Sequence, residues 1–200
     1  MGHKGLRALI PERDHEVHRL LLAGSIHEAN REFDQALTEV PTDDEPGRRP
    51  LLRLRRAVLA WRLHRVPLAL ELAAEGWAEL DSPLMDARCR AFALGQLVYL
   101  LQDVGNRQAQ LETARRAVEV ARQTDDSELL ARNLQLLGGT LNRRAVDGQD
   151  ASRVAAFHEA AALLREGIDL QPADEYMQRR LLSSYGSSLA GLGQLDEATA

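Results

Sequence analysis

The stretch AGSIHEANREFDQALTEVP, residues 23–41, places Gly24, Ile26, Ala29, Phe33, Ala36 and Pro41 at intervals that decide how the chain is read. Ala29 and Ala36 lie seven apart, two helical turns, so both fall on one face of a helix. Side chains that small let a second helix approach closely, and Phe33 between them fills the gap against a neighbour. Gly24 can take the positive φ that a tight turn between two helices needs. Pro41 ends the helix because it cannot continue the hydrogen-bond ladder. The spacing predicts a tight turn followed by a helix whose small-residue face can pack closely on another helix.

The same arrangement returns along the chain. VPLALELAAEGWAEL (66–80) carries Ala69, Ala73 and Gly76 at the corresponding places. RQAQLETARRAVEVA (107–121), after Gly105, carries Ala114 and Ala117, with Gln110 where the first small residue would stand. AAFHEAAALLREGIDLQP (155–172) carries Ala160, Leu164 and Gly167 and closes on Pro172. The second small residues, 36, 76, 117 and 167, are separated by 40, 41 and 50 residues. The longer last step predicts an inserted loop near 144–152, or an extension of the flanking helices, where RRAVDGQDASR (143–153) is polar. First halves are weaker but legible: Leu137-Gly138-x2-Leu141, Tyr185-Gly186-x2-Leu189, and Ala57 with Ala60.

Ala29-x3-Phe33-x2-Ala36-x4-Pro41 resembles the second half of a tetratricopeptide repeat, a family whose repeats run near 34 residues. A period near forty is similar to the long-repeat form found in bacterial regulatory proteins. The resemblance covers nearly the whole chain. It implies an all-α fold, a right-handed superhelical array of antiparallel hairpins. These would run over about 11–40, 51–80, 83–122 and 126–170, with a partial fifth from 174 to 200, in one repeat domain. Punctuation agrees with this division: Ser82-Pro83 suits a helix start, DDSE (125–128) suits an N-cap with Glu three residues on, and PTDDEPGRRP (41–50) suits a linker. By register, Gly193 starts the turn of the fifth hairpin and Ala198 is the first small position of its second helix. Leu182, Tyr185 and Leu189 would then need cover, either from chain beyond Ala200 or from a second copy in a homodimer.

Composition supports helix. Of the 200 residues 44% are hydrophobic but only 4% aromatic, and Leu and Ala lead, residues that favour helices over strands. The net charge of −5 argues against a general nucleic-acid surface. Cys89 is the sole cysteine, which excludes a disulfide framework and a cysteine metal cluster. Neither a membrane-length apolar run nor an apolar signal core is present, so a cytoplasmic protein without membrane contact is expected.

Catalytic constellations are missing from the spacing. Gly191-x-Gly193-x-x-Asp196 imitates a phosphate-binding loop, but a helical pattern precedes it where a strand is needed, and Asp196 would repel a pyrophosphate. His15 and His18 share a helix face without the further ligands that zinc requires. SSYGSS (183–188) lacks the glycines of a nucleophile elbow. No enzyme, cofactor or metal is therefore expected.

What remains is surface. In the family, the first helix of each hairpin lines a concave groove. Carried over by register, this groove would present Trp61, Arg62, Phe92, Tyr99 and Gln102, then Gln135, Asn142, Arg143 and Arg180. Trp61, Phe92 and Tyr99 would form an aromatic cluster and the others a polar strip, residue types that dominate binding hot spots. Trp61 and Phe92 could equally fill hairpin cores. The resemblance implies a protein or peptide partner, or a downstream domain of the same chain such as a diguanylate cyclase or a transcriptional regulator. The alternative is a sensor that holds a small molecule or peptide in the groove. The lysine-and-asparagine clamp of some family members is not matched, since Lys4 is the only lysine.

Overall fold

A computed structural model describes residues 48–194 apart from 63, 83, 84 and 149, together with residue 196 and scattered positions between 20 and 35. The expected hairpin 11–40 lies mostly outside the described residues, as do His15, His18, Phe33 and Pro83. All regular structure among the described residues is helical; beside helical positions between 20 and 35, the elements are α1 (Arg48–Arg62), α2 (Val66–Glu79), α3 (Ala87–Asp103), α4 (Arg107–Ala121), α5 (Ser127–Asp147), α6 (Asp150–Asp169) and α7 (Glu175–Gly191). Contacts divide the chain into two compact units, Met1–Gly105 and Asn106–Ala200. The division falls at the turn of the expected hairpin 83–122.

Four helix starts follow a local rule. Asp86, Asn106, Asp126 and Asp174 each accept a hydrogen bond from a backbone N–H of the first turn, at Cys89, Ala109, Leu129 and Tyr176 respectively. A short side-chain oxygen there satisfies a donor that the helix itself cannot. Two starts differ in detail from the sequence reading. The helix after Ser82 begins at Ala87, because Asp86 offers the capping oxygen. In DDSE the cap is Asp126, and Glu128 does not close a box on it; its Oε1 accepts from the backbone N of Ala173, 2.6 Å away. The turns use left-handed backbone at His64, Gly105, Gln171 and Gly193.

In the first unit α1 packs on α2 and on α3. Leu54 of α1 fits against Gly76 of α2, where an added Cβ would stand 2.8 Å from the leucine Cγ. Arg53 fastens the outer edge of that contact, pairing with Glu75 at 3.1 Å and with Glu79. Leu52, Leu72, Leu80, Phe92 and Leu94 are buried in this unit.

In the second unit α5 packs on α4, α6 and α7, and α6 on α7. Residues 143–153 are nearly all helical, so the long step of fifty lengthens α5 and α6 around a turn at Gly148 instead of making a loop. Three glycines seat large side chains. A Cβ on Gly138 would lie 2.5 Å from Leu164 Cγ, one on Gly167 2.7 Å from Leu181 Cδ2, and one on Gly191 2.5 Å from Phe157 Cζ. The last two join α6 to α7 with numbers rising on one helix and falling on the other, so this pair is antiparallel. Gly191 is thus a packing seat at the end of α7, and Gly193 (φ 78°) makes the turn.

Neighbouring Gly138 and Gly139 have opposite surroundings, which gives a direct test. Gly138→Ala forces the Leu164 side chain aside and should cost about 1–3 kcal/mol. At Gly139 the nearest atom to an added Cβ is Gln135 Nε2 at 3.7 Å. Gly139→Ala should therefore stabilise by about 0.5–1 kcal/mol through lower chain entropy in the unfolded state. Urea unfolding of both variants measures the two signs; equal effects would contradict the packing described.

Candidate functional site

The expected groove residues divide between the two units and between core and surface. In the first unit Phe92 is 2% exposed and belongs to the core. Its position on the inward face of α3 decides between the two roles that an aromatic at that spacing allows. Trp61 on α1 and Tyr99 on α3 are half-buried, and Gln102 is exposed near the end of α3. Arg62 ends α1, and its side chain lies outside the described residues. An open cluster of three aromatics is therefore not what this unit presents: Phe92 is withdrawn.

In the second unit the polar residues come together along α5 and α7. Gln135 Nε2 donates to Ser184 Oγ at 3.3 Å. Asn142 Nδ2 donates to the Ser184 carbonyl oxygen at 2.8 Å, and Asn142 Oδ1 accepts from Ser188 Oγ at 2.8 Å. Both partners rise in number together, so α5 and α7 run parallel, with Asn142 spanning one turn of α7. Gln135 and Asn142 are buried and Ser188 is wholly so. Expected as groove lining, they are instead the joint between two helices. Burial of an amide requires partners, and serines one turn apart supply them.

Around this joint lies an open polar edge. Arg143 is exposed and directs Nη2 towards Thr140 Oγ1 at 3.4 Å. The space over Gly139 is bordered by Gln135 Nε2 and Arg143 Nη1, both within 4 Å of where a Cβ would stand. Gln135 Oε1 is buried and meets no hydrogen-bond donor. Arg180, half-buried on α7, stands 5.7 Å from the ring centroid of Tyr176, a cation–π distance. Such an edge offers hydrogen bonds and positive charge. Among the described residues no three His, Cys, Asp or Glu side chains converge as metal ligands, and no described helix is long and apolar enough to cross a membrane.

Ser184 and Ser188 are the residues that sequence reasoning missed. Their only signal is a small polar side chain every four residues on the face of α7 turned to α5, and serine is common enough to hide it. Compared with protein-family models and with curated proteins, the chain matches none of them.

The joint can be tested by a double-mutant cycle on Asn142 and Ser188. Asn142→Ala removes one partner of the Ser184 carbonyl and leaves the Ser188 hydroxyl only its 3.2 Å bond to that carbonyl, and should cost about 1–3 kcal/mol. The two alanines together should cost less than their sum, by about 1 kcal/mol, because the second change removes a partner already lost. Additive unfolding energies would show that the two side chains do not interact.

Proposed function

We propose that the chain is a non-catalytic helical-repeat protein of tetratricopeptide type that binds a protein or peptide partner from the cytoplasm. The observation that supports it most is a pair of ion pairs with the same sequence separation. Arg115 meets Glu159 at 2.9 Å and Arg122 meets Glu166 at 2.7 Å, each 44 residues apart. Equal offsets two turns apart mean that α4 and α6 run parallel and in register. The seam between α5 and α7 gives the second parallel pair. Second helix beside second helix and first beside first is the relation that stacked hairpins generate.

Stacking of this kind makes successive first helices into one continuous surface, and repeat proteins bind through such surfaces. In the second unit the surface this reading favours is the Gly139–Arg143–Arg180 edge; in the first unit, taken by itself, repeat register assigns Trp61, Tyr99 and Gln102 to the first helices. A role as the regulatory input of a larger bacterial signalling protein, with a cyclase or a transcriptional regulator as output, draws its support from the family resemblance. Self-association through the outer face of α7 draws support from Leu182, 56% exposed there.

Photo-crosslinking in the cells that make the protein tests this reading. A benzophenone amino acid replacing Arg143 should yield an adduct with another polypeptide. The same group replacing His158, exposed on α6, should yield none. Adducts from both positions alike, or from neither, would remove the α5–α7 edge as a binding surface.

A further inference from the structure

The two helices that form the polar edge of the second unit carry charge of one sign. From Leu129 to Val146 on α5 and from Tyr176 to Gly191 on α7 the charged residues are Arg132, Arg143, Arg144, Arg179 and Arg180, all cations, in a chain whose net charge is −5. Acids at the ends of these helices have partners of their own. Glu128 accepts from the Ala173 N–H, Asp147 pairs with Arg107 of α4, and Glu175 pairs with Arg179 at 3.9 Å. By contrast, α4 and α6 place Glu112, Glu119, Glu159 and Glu166 among their arginines.

Geometry decides which of these cations act together. From Leu129 to Asn142 every residue of α5 except Leu130, Arg132 and Gly139 is buried. Arg132, Gly139 and Arg143, spaced by seven and four, form one narrow open strip, with Leu130 on the other side of the helix. The hydrogen bonds of Gln135 and Asn142 to Ser184 and Ser188 set α7 alongside in parallel. In that register Arg180, one turn before Ser184, is level with the Arg132 end of the strip, while Arg143 lies at the Ser188 end. Cations thus stand at both ends of a strip about 16 Å long, the helical rise from residue 132 to residue 143. Its middle is bare: only Gln135 Nε2 and Arg143 Nη1 come within 4 Å of where a Gly139 Cβ would stand. Gln135 Nε2 gives one proton to Ser184 Oγ and, as an amide, carries a second.

We infer that this edge holds an extended acidic segment of a partner polypeptide, its main chain laid over Gly139 and one acidic side chain directed to each cationic end. The inference rests on the reading of the α5–α7 edge as a binding surface and adds the chemistry of what binds there. An extended chain advances about 3.3 Å per residue, so the two acids stand about four or five residues apart. A position without a side chain lets the partner's backbone come close, and the second Gln135 N–H then meets one of its carbonyl oxygens. Nucleic acid fits less well, because a long polyanion would also meet the net negative charge of the whole chain, whereas a short segment needs the strip alone.

Fluorescence anisotropy with the full chain tests this. The probes are short labelled peptides with a pair of glutamates at that spacing or with lysines in their place, both amidated so that no terminal carboxylate contributes, and a single-stranded oligonucleotide of equal length. The glutamate peptide should bind and the lysine peptide should not, against the sign of the net charge. Arg143→Glu combined with Arg180→Glu should reverse that preference. Gly139→Leu should weaken the glutamate peptide by about tenfold or more, because its side chain stands where the main chain passes. Circular dichroism checks that the helices of each variant are intact. Equal binding of the two peptides, tighter binding of the oligonucleotide, an unreversed preference in the double variant, or undiminished affinity of Gly139→Leu would each overturn the proposal. If the glutamate peptide does not bind while benzophenone at position 143 still captures a polypeptide in cells, the acidic ligand is refuted and the binding surface stands; if neither occurs, both fall.

Discussion

Close approach of helices at residues without a side chain is the constraint on which the rest of this structure depends. Leu54 over Gly76, Leu164 over Gly138, Leu181 over Gly167 and Phe157 over Gly191 place a large apolar group where a Cβ would otherwise stand. Each seat fixes both the separation of two helices and their relative slide, because a branched side chain fits one gap and not the next. Buried side chains are packed at the density of organic crystals, so such seats leave little freedom for alternative pairings. The polar groups then follow: once α5 and α6, and α6 and α7, are set by glycine seats, α5 and α7 meet along a line where Gln135 and Asn142 find serine partners.

In the second unit glycine seats join α5 to α6 and α6 to α7, hydrogen bonds join α5 to α7, and ion pairs join α4 to α6 and, through Arg107 and Asp147, α4 to α5. The surface pairs Arg115–Glu159 and Arg122–Glu166 are exposed, and pairs of that kind contribute little stability. Their use is to record register. The buried Asn142–Ser188 contact has larger consequences, since a misaligned α7 would leave the Asn142 amide without its partners where it is buried. Buried polar residues elsewhere fix register in the same way.

Much of the helical content was legible from the chain, for identifiable reasons. Small residues at seven-residue spacing marked the faces of α2 and α6, and Gly76, Gly138 and Gly167 all stood at positions where the repeat pattern asks for a small residue. Helix starts were less legible because two short acidic residues often stand side by side: Asp125 and Asp126 have equal claims, and only the second caps α5. Side-chain roles were the least legible. Phe92 suits a core and a groove equally by spacing, and the choice rests on which way α3 turns. Gln135 and Asn142 read as surface because amides usually are, and their burial became visible only with α7 beside them. The long step between repeats was seen as extra residues, yet sequence alone left open whether helix or loop would absorb them.

The turn between α6 and α7 is held more tightly than its exposure suggests. Glu128, at the start of α5, accepts from Ala173, and Gln178 Nε2 donates back to the Pro172 carbonyl at 2.6 Å. Gln171 within it already carries left-handed backbone. At the turn between α5 and α6, Gly148 N donates to the Ala145 carbonyl and Asp147 makes an exposed pair with Arg107 of α4. Changes in chain length are consequently unequal in effect: a residue gained or lost near 148 disturbs a helix end and an exposed pair of little energetic weight, whereas the same change near 172 would shift α7 against both the helix it pairs with and the helix it copies.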